Sequence, residues 1–160
     1  MHPKIHCIVQ DFEHLDSQFQ DLCPQELKNR VSFQAHNFWK EQPVKNADIY
    51  MLKRVLHDYS DKYASKILEN LLPMKIGSRV LVIDAVKPPR GIMPWHFERM
   101  LTSLDLQMLV ALSSKERTAE EWIALFKGVD PRFALKSVVK PEQSSTSVME
   151  FVLNQEDLKV

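Results

Sequence analysis

Glycine is nearly missing from this chain, with three in 160 residues, and none stands in a Gly-x-Gly-x-x-Gly or P-loop spacing. The backbone cradle that usually grips a nucleotide's phosphates is therefore excluded from these residues. Cysteine is as rare: Cys7 and Cys23 are the only two, and their spacing is neither a disulfide framework nor a metal-ligand set, so the plain reading is a reduced, intracellular protein. Net charge is absent too, with 21 basic against 21 acidic residues. No basic stripe is visible, which argues against nucleic acid as a partner. No apolar run approaches the ~20 residues of a membrane span. The stretch from Met1 to Asp11 has no charged region followed by a long apolar one, as a secretory leader would. The expectation is a cytoplasmic protein that neither binds nor crosses a membrane.

What is present is an ordinary globular composition, 44% hydrophobic and 26% charged, long enough for one domain with a sizeable core. Lys4 to Gln10 reads as a buried strand ending at Asp11. A polar, turn-prone stretch follows, then a short helical piece at Gln25 to Asn29. Val31 to Ala35 alternates as a half-buried strand does, and His36, Asn37, Phe38 and Trp39 come after it. Asp48 to Val55 is a third strand. Ser60 is placed to cap a helix from Asp61 to Leu72, with Tyr63, Ile67 and Leu71 on one face. Arg79 to Ala85 carries apolar residues on both faces, as a strand covered by helices does. Glu98 to Leu112 is a helix rich in Leu and Met. Thr118 and Glu121 form a capping box for Ala119 to Lys127. Phe133 to Val139 and Ser147 to Leu153 alternate on either side of a turn at Gln143 to Thr146, an antiparallel hairpin. The order predicts α/β architecture with a mostly parallel sheet and an antiparallel C-terminal hairpin. Gln155 to Val160 reads as a loose tail.

The chemistry concentrates at Ile49 to Asp61. A strand there delivers His57 and Asp58 at its C-terminal end, where open α/β sheets place their ligands. Alone, His57 reads first as a polar strand-end residue capping a turn with Asp58; Asp84 ends the Arg79 strand as a turn residue or a site residue; Asp11 is a strand-end acid or a helix cap. Glu116 lies in Lys115-Glu116-Arg117, by itself a solvated charge run. Met93, Trp95, Met100, Met108 and Leu112 suit either a core or an aromatic pocket. His36 and His96 read as incidental, since no ligand spacing links them, and no metal site is expected.

The segments ADIYMLKRVLHDYSD, RVLVIDAV and ERMLTSLDLQMLVALSSKERTAEEW, in that order, resemble the class I S-adenosylmethionine-dependent O-methyltransferases of caffeate and flavonoid type and their fungal secondary-metabolite relatives. The resemblance runs from Lys4 to Asn154. It implies an incomplete Rossmann-like methyltransferase domain over residues 1–154. It also implies that the family's N-terminal dimerisation domain, first strand and Gly-rich loop are not among these residues. By the same resemblance His57 is the general base, with Asp84 and Glu116 on either side of its ring. Asp11 matches the acid that binds the cofactor ribose. Asn37 stands where the family usually has Asp for the adenine amine, Phe38 and Trp39 cover the adenine, and Lys53 lies near the cofactor. The implied cofactor is S-adenosylmethionine, held weakly by this chain, and the implied substrate a hydroxylated aromatic or polyketide-like small molecule. Strand edges left bare by the missing first strand favour self-association. The alternative is a non-catalytic remnant or interaction module of the same fold, favoured by the missing glycine loop as the catalytic reading is favoured by His57, Asp84 and Glu116.

Overall fold

The computed structural model describes residues 4–89, 91–142 and 144–155. They gather into two compact units, one running to Gln42 and the other from Pro43 onward. The expected tail beyond Gln155 lies outside the described residues.

The first unit is a strand β1 (Cys7–Asp11), a helix α1 (Asp16–Leu22) and a strand β2 (Val31–Ala35), with 3-10 turns at Glu13–Leu15 and Gln25–Leu27. β1 and β2 pair in parallel, and Asp11 lies opposite Ala35, so both strands end together. α1 occupies the stretch read from sequence as polar and turn-prone. Leu15, Phe19 and Leu22 supply a thin apolar stripe at helical spacing, and Phe19 meets Phe33 of β2 at 5.5 Å between ring centroids. Gln10 and Gln42 exchange two amide hydrogen bonds of 2.8 Å, and Gln10 also donates to Gln34. Among the described residues of this unit no apolar side chain is buried; Ile8, Val9 and Phe12 remain exposed.

The second unit holds β3 (Ile49–Lys53), a 3-10 turn at Leu56–Asp58, α2 (Asp61–Glu69), β4 (Arg79–Asp84), α3 (Trp95–Leu112), α4 (Ala119–Val129), β5 (Phe133–Val139) and β6 (Ser147–Leu153). Its sheet runs β3-β4-β6-β5. β3 and β4 are parallel, with Lys53 opposite Ile83. β6 is antiparallel to both β4 and β5. Val80 and Val82 of β4, Ile67 and Leu68 of α2, and Met149 of β6 are fully buried. Phe126 of α4 stacks flat on Phe151 at 3.6 Å and meets Phe133 edge-on at 5.1 Å. Each such ring contributes roughly 1.5–3 kcal/mol by leaving water, and this cluster ties α4 to the hairpin.

The mixed sheet and the C-terminal hairpin agree with the sequence reading. One difference is that β1 and β2 form a sheet of their own. Among the described residues β1 pairs with β2 alone and β3 with β4 alone. α2 stops at Glu69, and its inner face is Ala64, Ile67 and Leu68, while Tyr63 is exposed. Ser60 sits at the N-cap position without a side-chain bond; Thr118 and Glu121 do form the reciprocal capping box. α3 begins at Trp95 and buries none of its residues. Trp95, Met100 and Leu112, expected in a core or a pocket, are exposed instead. No described helix is long and apolar enough to cross a membrane.

Candidate active site

β3 ends at Lys53, and the chain turns sharply at Arg54, whose φ of 52° is left-handed. For a residue with a Cβ that conformation costs on the order of 1 kcal/mol. Arg54 is held there by donating its N–H to the Ile83 carbonyl at 3.0 Å. The redirected chain forms the 3-10 turn Leu56–Asp58, with Leu56 and His57 buried. Parallel pairing of β3 with β4 brings Asp84, the last residue of β4, to the same end of the sheet. The segment between α3 and α4 supplies Glu116.

Three sequence-distant residues thus meet. His57 Nδ1 lies 3.4 Å from Glu116 Oε1 and 3.8 Å from Asp84 Oδ1. The first distance is a long hydrogen bond; the second is beyond one and acts through charge. Asp58 Oδ1 stands 3.2 Å from the other ring nitrogen, Nε2. The bond to Glu116 raises the His57 pKa above the ordinary histidine value; burial opposes this, while Asp84 and Asp58 add to it. Asp84 is 1% exposed, and burial pushes its carboxyl up to about 6 even though the nearby His57 charge pulls it down. Neither Asp84 oxygen has a hydrogen-bond partner among the described residues, nor does Glu116 Oε2.

The turn is gripped from the segment that carries Glu116. Ser114 Oγ donates to the His57 carbonyl. Arg117, fully buried, donates from Nη1 to the Leu56 carbonyl at 2.9 Å and from Nη2 to the Tyr59 carbonyl at 2.8 Å. Its Nε donates to Asp61 Oδ1 at 2.9 Å, and its guanidinium lies 5.0 Å from the Trp122 ring. Asp105 of α3 accepts the Glu116 N–H at 2.9 Å and pairs with Lys87 at 3.0 Å. Sequence reasoning missed Ser114, Arg117 and Asp105. Nothing in the run Lys115-Glu116-Arg117 marks its last member as a buried arginine.

The remaining candidates divide between the units. Asp11 and Asn37 belong to the first, at the shared C-terminal end of β1 and β2. Asp11 Oδ1 accepts the N–H of Phe12 at 2.8 Å, and Asn37 Oδ1 that of Trp39 at 3.0 Å. Each keeps a second acceptor lone pair. Phe38 follows Asn37, tilted against Trp39 with centroids 5.2 Å apart. A ribose diol and an adenine fit this donor and acceptor set. Lys53 belongs to the second unit, exposed at the end of β3. Among the described residues no group of three ligating side chains is placed to hold a metal ion.

The sequence matches the O-methyltransferase domain family over residues 1–130. It is 38% identical over 156 residues to the O-methyltransferase VdtC of Byssochlamys spectabilis, an alignment covering 94% of this chain and 36% of that protein. Among solved structures, LepI in complex with SAM superposes with a TM-score of 0.80 at 30% identity, over 93% of this chain and 36% of LepI. A structure described as a pericyclic reaction enzyme is as similar, with a TM-score of 0.79 at 30% identity and the same coverage. The chain therefore spans 36% of the length of relatives such as VdtC.

Proposed function

Because this chain belongs to the O-methyltransferase domain family, we propose that it is the base-bearing part of an S-adenosylmethionine-dependent O-methyltransferase. Its substrate is a hydroxyl of an aromatic or polyketide-like small molecule. Residues 1–154 are read as part of one catalytic domain. Likeness of fold alone leaves the reaction open, as the pericyclic neighbour illustrates. The observation that carries methyl transfer is the buried His57 with Glu116 and Asp84 against one ring nitrogen.

S-adenosylmethionine, when bound, would supply an electrophilic sulfonium methyl for a substrate oxygen. Asp11 would hold the ribose hydroxyls, Asn37 and Phe38 the adenine, and Lys53 would lie near the cofactor. His57 takes the proton that the hydroxyl loses. Glu116 accepts from Nδ1–H and so fixes the tautomer, leaving the Nε2 lone pair for the substrate. Asp58, 3.2 Å from Nε2 and half-exposed, swings aside when the hydroxyl arrives. Asp84 stabilises the imidazolium that results. Raising the His57 pKa brings the base nearer to a phenol's value of about 10, which lowers the cost of proton transfer.

The test is turnover of the purified chain with millimolar labelled cofactor and a panel of phenolic acceptors, for the parent and for His57→Asn. Asparagine keeps the size and polarity but cannot take the proton. The expected result is a loss on the order of 10²–10⁴-fold with an unchanged circular dichroism spectrum. Retained turnover would sink the general-base role.

A further inference from the structure

We propose that Ser114 and Arg117 are positioning residues for His57, forming a clasp that sets the imidazole against Glu116. This rests on the reading of His57 as the base, and adds what holds that base in place. The clasp closes on backbone oxygens on both sides of the ring. Ser114 holds the carbonyl of His57 itself, and Arg117 holds those of Leu56 and Tyr59. Arg117 is fully buried and Ser114 is 3% exposed, so the bonds to the His57 and Leu56 carbonyls form away from competing water.

A buried guanidinium is costly unless its donors are used. Here three nitrogens are used: Nη1 and Nη2 on the Leu56 and Tyr59 carbonyls, and Nε on Asp61, which Nη2 also approaches to 2.8 Å. Only a planar fork with several fixed donors bridges two carbonyls and a carboxylate at once. Glu116 stands between Ser114 and Arg117 in the chain, so the segment that presents the carboxylate also fixes the turn that presents the ring. The 3.4 Å separation of Nδ1 from Glu116 Oε1 is then set by two anchors on either side of Glu116. The N–H of Lys87 donates to the Arg117 carbonyl at 2.8 Å, and Asp105 holds the Glu116 N–H, so the clasp has its own support.

The experiment follows the ring nitrogens of His57 by NMR through a pH titration of the full 160-residue chain. The spectrum of His57→Asn assigns the signal among the six histidines. Two variants leave every charge facing the ring unchanged, namely Glu116, Asp84 and Asp58. Arg117→Lys keeps the positive charge but loses the fork; Ser114→Ala removes only the hydroxyl. In both, the titration midpoint of His57 should fall toward the ordinary histidine value, because the bond to Glu116 loosens. The Nδ1–H signal should broaden through exchange with water. If folded variants melt earlier while His57 titrates as in the parent, the clasp is structural only and the proposal is overturned. Should Arg117→Lys fail to fold, Ser114→Ala decides by the same readout. Methyl transfer plays no part in it, so loss of the general-base role would leave the clasp standing, and the reverse.

Discussion

The two units differ in how their candidate residues are held. From Pro43 onward, His57 and Asp84 are buried beside a dense aromatic and aliphatic core, and arginine, serine and aspartate side chains fix the backbone around them. Up to Gln42, Asp11 and Asn37 rest on a two-stranded sheet with one short helix, none of whose described apolar side chains is buried. The chemistry asked of each explains part of this. On the proposed reading, a base would be held at one angle with one tautomer, and such precision comes from packing and a second layer of hydrogen bonds. A ribose diol would need only an acceptor within reach.

The contrast can be sharpened by cutting equal side chains from each unit. Phe126→Ala removes a ring packed between Phe133 and Phe151 and should destabilise the second unit by about 3–5 kcal/mol. Phe19→Ala removes a half-buried ring that meets Phe33 and should cost about 1 kcal/mol. Chemical denaturation measures both. Equal losses would show that the first unit has a core of its own.

A smaller effect tests the charge buried in the base-bearing unit. Asp84 is held up at about 6 by burial, above the ~3.9 of an unfolded chain. Folded Asp84 therefore binds its proton more tightly than unfolded Asp84 does. Its contribution favours the fold at low pH and is lost as pH rises through about 6. His57 is raised as well; its contribution is full below ~6.5 and lost as pH rises through its folded value. For these two groups the signs agree, so their joint contribution to stability falls as pH rises through about 6, while His36, lowered by burial, works the other way. Asp84→Asn, uncharged throughout, should exceed the parent in stability by on the order of 2 kcal/mol at about pH 8, the difference vanishing near pH 4. A pH-independent difference would mean that Asp84 is not the group being titrated.

Local pattern carried much of the fold. The hairpin strands Phe133–Val139 and Ser147–Leu153 follow from alternation, strict in the second and broken in the first by an irregularity between Leu135 and Ser137, and the Thr118 box from its spacing. Both signals are confined to a few neighbouring residues. What pattern did not carry was decided at a distance. Tyr63 has helical spacing yet faces water, since Ala64 and Leu68 fill the inner face of α2. The stripe along α1 is Phe19 and Leu22 with Leu15 just before it, in a polar stretch and too thin to stand out from a turn. Separate pairing of β1 with β2 depends on which strands find partners. In the site, His57, Asp84 and Glu116 were legible as a set only through the family resemblance, because 59 residues separate His57 from Glu116. Arg117 was illegible, since an arginine in a charge run gives no sign that backbone carbonyls will surround it.

Cofactor binding tests most directly how the proposed roles divide between the two units. On the proposed reading Asp11, Asn37 and Phe38 of the first unit would meet a ribose and an adenine, while the three glycines, Gly77, Gly91 and Gly128, all fall in the second unit without a cradle spacing. Isothermal titration of the purified chain with S-adenosylmethionine, and separately with adenosine, reads this out. The account predicts weak binding, roughly 0.1 mM or poorer, nearly equal for the two ligands and lost in Asp11→Ala. Micromolar binding of S-adenosylmethionine, far tighter than that of adenosine, would contradict it, because these residues would then be gripping the methionine end as well.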